Sequence, residues 1–151
     1  MKMVSACLAG IKCRWNGKDF INEKIKEMIE RGEAVPLCPE VLGGLSIPRK
    51  PAGIHGGVGI DVIENRAKVR TSKKGEDVTK QFLKGAEEIL KVVKSKDIKE
   101  AILRTPSPSC GCGKTWQLDK NFRNHVVDGD GVTAALLKKN GIKVYTEEGF
   151  K

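Results

Sequence analysis

Three short apolar runs each lead into a Gly- or Pro-containing loop and bring a cysteine with them. No other feature constrains the fold of this chain as strongly. Met3–Leu8 contains Cys7, Ala34–Cys38 ends on Cys38, and Lys99–Arg104 runs straight into Thr105–Gly113, which carries Cys110. Each run has the length of a strand, and helical patterns lie between them. Asn22 is placed to cap a helix that carries Ile25, Met28 and Ile29 and stops near Glu30, before Gly32. Asp77 is placed to cap the longest helix, Val78 to about Lys94, whose stripe is Val78, Phe82, Ala86, Ile89, Leu90 and Val93. Strand–helix alternation predicts an α/β fold with a mostly parallel sheet and right-handed crossovers. In such sheets ligand sites form at the carboxyl ends of the strands, where these cysteines fall.

The remaining segments complete the expectation. Pro39–Gly53 reads as a long loop, and loops of that length in compact domains are usually functional. Val58–Ile63 and Ala67–Thr71 read as a hairpin around Glu64-Asn65-Arg66, and the polar stretch Gln117–Asp130 as a second one. Thr133–Lys139 reads as a short helix and Ile142–Tyr145 as the last strand.

A chain of 151 residues suits a single domain, 1–151, with one core. Nothing near its start resembles a signal peptide, and no run approaches the roughly 18 apolar residues that span a bilayer. The expectation is a cytoplasmic protein without membrane contact. Five cysteines in that compartment argue against a disulfide framework, and an odd count forbids complete pairing. Metal binding or catalysis is the first reading, and a buried inert thiol is the competing one for each cysteine. The net charge of +9 suits either attraction to RNA phosphates or a lysine-rich solvated surface.

If the three cysteine-bearing strands are neighbours, a spacing near 4.8 Å brings their ends within about 10 Å of one another. An iron–sulfur cluster bridges that distance, because its irons each take a thiolate. A single zinc, with ligands at about 2.3 Å, does not do so readily. Cys13 and Cys112 are spare candidates. Glu40 follows Cys38 by two residues, with Pro39 between them, and is the only carboxylate beside a candidate ligand. A carboxylate in that place either moves protons or simply faces solvent. Ser107 and Ser109 flank Pro108, which fits hydrogen bonding to a substrate or ordinary turn chemistry. His55 and His125 are isolated, and Gly56-Gly57-Val58-Gly59 lacks the strand-to-helix setting of a phosphate cradle.

Four of these segments together resemble the thiouracil desulfidase (TudS) family. They are Val4-Ser5-Ala6-Cys7-Leu8-Ala9-Gly10 with Cys13-Arg14-Trp15-Asn16-Gly17, then Cys38-Pro39-Glu40-Val41-Leu42-Gly43-Gly44-Leu45 with Pro48-Arg49, then Ser107-Pro108-Ser109-Cys110-Gly111, and Gly129-Asp130-Gly131-Val132-Thr133-Ala134-Ala135-Leu136-Leu137. The resemblance implies a single Rossmann-like three-layer domain, here with a small β-hairpin insertion. It implies a [4Fe–4S] cluster held by Cys7, Cys38 and Cys110, its fourth iron open to the sulfur of a thiolated pyrimidine such as 2-thiouracil. Glu40 is then the proton-handling carboxylate, assisted by Ser107 or Ser109, with Ser107 preferred. Water replaces sulfur and releases sulfide without net redox change. A thiolated nucleoside in tRNA is the alternative substrate, and a non-catalytic metal or cluster-binding module is the alternative outside catalysis. Cys112 stands where a small non-thiol residue is expected.

Overall fold

The computed structural model describes residues 1–150. Lys151, the last residue of the expected domain, lies outside the described residues. The main sheet holds β1 (Lys2–Ser5), β2 (Ala34–Leu37), β5 (Glu100–Leu103) and β8 (Lys143–Thr146) in the order β2-β1-β5-β8, all parallel. Pro36 donates no backbone hydrogen bond, and it is tolerated because β2 is an edge.

Period-two alternation splits the core over the two faces of this sheet. Met3, Ala101 and Leu103 face Ile89 and Val93 of α4 (Thr79–Ser95) and Ala134 and Leu137 of α5 (Val132–Lys139). Val4 and Ile102 face Ile25 of α1 (Glu23–Glu30). Full burial of each Met, Val, Leu or Ile side chain among them contributes about 1.5–3 kcal/mol. The α1 start is as expected: the Asn22 side chain accepts from the Ile25 N–H at 3.2 Å. The cap position of α4 is Val78 and not the expected Asp77, which lies one residue earlier and accepts from the Thr79 N–H at 2.9 Å.

A second sheet runs β4 (Lys68–Thr71), β3 (Ala52–His55), β6 (Lys114–Leu118) and β7 (Asn124–Asp128). The β6–β7 pair is the polar hairpin expected over 117–130. The hairpin expected over 58–71 does not form. Gly59–Ile63 is a helix, α3, and β4 pairs antiparallel with β3 instead. Five residues are too few for periodicity to separate strand from helix. Here the Asp61 carboxylate accepts from the Val58 N–H at 2.8 Å and fixes a helical start. Phe82 and Ala86 of α4 pack on Ile54 and Val69 of this sheet, so one helix serves both cores.

The long loop is also partly ordered, because Pro39–Leu42 forms a short helix, α2. It lies against α4 at a close backbone approach made by Gly43 and Gly85. Among the described residues no helix is long and apolar enough to cross a membrane.

Candidate active site

The order β2-β1-β5 makes the three cysteine-bearing strands neighbours, and the chain reverses its direction of travel across the sheet at β1. Such a switch point opens a crevice at the carboxyl ends. Cys7 sits in the turn Ala6–Ala9 directly after β1. Cys38 follows β2 and caps α2, where Pro39 takes the first helical position because its missing N–H costs nothing there. Cys110 is farther from its strand, and α5 brings it back. The Val132 N–H donates to the Pro108 carbonyl at 2.8 Å and the Thr133 N–H to the Ser109 carbonyl at 2.9 Å. The third sequence motif thus satisfies the free N–H groups that begin α5. The fourth motif is its seat, and a Cβ on Gly131 would meet the Ser109 oxygen at 2.5 Å.

Cys7, Cys38 and Cys110 line one cavity of about 510 Å³ together with Glu40 and Ser107. Cys13, the spare thiol of the first loop, lines it too. Neighbouring Cys38 holds its thiol down, but neighbouring Cys7 and burial push it up to about 11. Cys38 is raised by its contact with Cys13 and by burial. Cys110 is raised by burial, partly offset by a hydrogen bond with Ser5. The Ser5 oxygen accepts the Arg104 N–H at 2.9 Å. Cys112 stands apart, with its thiol donating to the Val144 carbonyl at 3.5 Å.

These thiols suit a cationic inorganic group. Their surroundings make Cys13, Cys38 and Cys110 resist ionisation on their own, and a positive centre beside them removes that penalty. Among the described residues no three His, Cys, Asp or Glu side chains are placed to hold a single metal ion. Thiols brought from three strand ends to one cavity suit an iron–sulfur group, whose irons each take a thiolate.

The two serines separate. Ser107 lines the cavity, and its oxygen accepts from the Ser109 and Cys110 N–H groups at 3.1 and 2.9 Å. Ser109 is fully buried and shares a 2.7 Å hydrogen bond with Thr133, away from the cavity lining. His55 and His125 do not line it either; His55 packs edge-on to Phe122 and His125 pairs with Asp119.

Reading the sequence gave no role at the site to Arg14, Arg104, Trp116 or Asn124, all of which line the cavity. The guanidiniums of Arg14 and Arg104 lie 4.1 and 3.8 Å from the centre of the Phe20 ring. Among the described residues, Arg104 Nε and Asn124 Oδ1 are buried without a hydrogen-bond partner. Arg104 and Trp116 lie outside the four motifs, and only the fold brings them to the rim.

A family model described as 2-thiouracil desulfurase matches residues 3–149. This chain belongs to the 2-thiouracil desulfurase family. The Bacillus subtilis (strain 168) protein YbbK is 45% identical over 147 residues, covering 97% of this chain and 95% of its own. A solved structure described as the [4Fe-4S]-dependent thiouracil desulfidase TudS is 36% identical, with a TM-score of 0.82 over 97% of this chain and 90% of that one. The family's α/β architecture is the one seen here, with the parallel sheet carrying the cysteine edge.

Proposed function

We propose that this chain desulfurates a thiolated pyrimidine of the 2-thiouracil kind, using a [4Fe–4S] cluster held by Cys7, Cys38 and Cys110, with residues 1–151 acting as one unit. The observation that carries the reading is the shared cavity. Three thiols from three strand ends line the same space of about 510 Å³ as the Glu40 carboxylate and the Ser107 hydroxyl. Family membership and the likeness to TudS support the reaction.

When bound, the cluster supplies a soft Lewis-acidic iron for the departing sulfur. The residues of the chain do the rest. Glu40 exchanges protons with the incoming water and the ring nitrogen, so that the thiocarbonyl and water become a carbonyl and hydrogen sulfide without net redox change. Ser107 already accepts two N–H groups, and its hydrogen remains free to donate to the substrate. Trp15 and Trp116 offer flat apolar walls to the ring, and Arg104 and Asn124 add polar side chains to the same lining. A reducing, cytoplasmic compartment fits five free thiols.

A second reading, a thiolated nucleoside in tRNA, is favoured by the rim. Trp15 and Phe20 are 43% and 42% exposed beside Arg14 and Arg104. Aromatic faces interleaved with cations are how single strands are gripped. Anaerobic reconstitution followed by sulfide-release assays on 2-thiouracil and on thiolated tRNA tests both. Iron incorporation with sulfide from the free base supports the first reading, and sulfide from tRNA alone supports the second. A reconstituted protein that releases sulfide from neither rejects both.

A further inference from the structure

We propose that Arg49 is the positioning residue of this site, locking Glu40 and the Cys13–Trp15 loop into one rigid frame; its catalytic consequence rests on the reading of Glu40 as the proton carrier. Arg49 follows Pro48 in the loop between α2 and β3, and its side chain is only 7% exposed. A guanidinium so buried is tolerated only when its charge and N–H groups are met. Its three nitrogens reach three different places. Nε donates to Glu40 Oε1 at 3.3 Å, Nη2 to the Cys13 carbonyl at 3.0 Å and Nη1 to the Ser46 carbonyl at 3.2 Å. The backbone N–H of Arg49 also donates to the Trp15 carbonyl at 2.8 Å.

Glu40 makes no other side-chain hydrogen bond among the described residues, so Arg49 alone sets the direction of its carboxylate. One carboxylate oxygen is engaged and the other is left for proton transfer. The Cys13 carbonyl that Arg49 grips also lies 3.8 Å from the Cys38 sulfur, so the same clamp borders the thiol cluster. A planar fork fills three directions at once, whereas a lysine ammonium is a single point on a flexible stem. Arg49 also lines the cavity, and the role proposed for it acts through Glu40.

The test is a double-mutant cycle on the anaerobically reconstituted enzyme. Arg49→Lys keeps the charge and the backbone contact to Trp15. It is expected to bind iron as the wild type does, to keep KM within about twofold, and to lose roughly 10–100-fold in kcat, the usual cost of an outer partner. In a Glu40→Ala background it is expected to change nothing further. A second measurement stands apart from turnover and from how well the lysine variant folds. The Arg49 Nε–H signal in ¹⁵N spectra of the cluster-free protein is expected to exchange slowly in the wild type and quickly in Glu40→Ala. Wild-type kcat in Arg49→Lys, an effect on KM instead of kcat, a full additive loss in the double variant, or a fast-exchanging Nε–H in the wild type would each overturn the positioning role. Full turnover in Glu40→Ala with a slow wild-type Nε–H is a different failure. It removes the proton-carrier reading, and with it the catalytic meaning of the clamp.

Discussion

Gly85 of α4 faces the Pro39 carbonyl so closely that a Cβ there would lie 2.0 Å from the oxygen. Cys38 and Glu40 sit on either side of that proline, so the contact fixes the depth at which a thiol and the site carboxylate enter the cavity. Gly85→Ala improves helix propensity by about 1 kcal/mol, but the clash forces α2 away. The expected net result is a loss of roughly 1–3 kcal/mol in urea denaturation, with reduced iron per chain after reconstitution. An unchanged midpoint with full iron would mean that α2 has room to retreat.

Cys7→Ala, Cys38→Ala and Cys110→Ala are each expected to lose iron and turnover together. Glu40→Ala is expected to keep its iron and lose about 10²–10⁴-fold in turnover, the usual range for a general acid or base. Cys13→Ala and Cys112→Ala are expected to retain most of both. Iron and acid-labile sulfide analysis beside a sulfide-release assay decides. Loss of iron in Cys13→Ala with a fully loaded Cys110→Ala would reassign the ligand set.

The serines are expected to part in opposite directions. Ser109→Ala leaves the buried Thr133 hydroxyl without its 2.7 Å partner and is expected to cost about 1–3 kcal/mol of stability, with turnover near wild type at low temperature. Ser107→Ala faces the cavity and is expected to lower turnover. Equal losses of activity in both variants would show that the loop geometry matters and not the Ser107 hydroxyl.

Asp119, which does not line the cavity, offers a pH-dependent reporter. Its hydrogen bond to His125 and the N–H groups of Arg123 and Asn121 hold its carboxyl down at about 2, below the ordinary 3.8. The folded value is the depressed one. Its contribution to stability is therefore present above the ordinary value and is lost as pH falls from about 4 towards 2. A ¹³C titration of the carboxyl is expected to show a midpoint near 2, moved upward in His125→Ala. An identical midpoint in that variant would show that the backbone N–H groups suffice.

Much of this was legible in the chain. Asn22 and Gly32 marked α1, the stripe from Phe82 to Val93 marked α4, and the cysteine-bearing runs became adjacent parallel strands. The errors fell where local pattern is weak. Val58–Ile63 has the apolar content of a strand, yet Asp61 starts a helix there. β3 was hidden in a Gly- and Pro-rich stretch whose strand character comes from pairing with β4 and β6. The separation of Ser107 from Ser109 had no sequence signal, since both flank the same proline.

The chain by itself set which residues are able to do this chemistry, because thiol, carboxylate and turn-forming side chains carry their reactivity and backbone preferences wherever they go. It also set the alternation that makes a parallel sheet. Only the tertiary structure decided which of them meet. Strand order placed Cys7, Cys38 and Cys110 on one edge and admitted Cys13 while excluding Cys112. The physical reason is distance: contacts between residues 25 to 100 positions apart arise from the packing of strands and helices, and no local propensity encodes them.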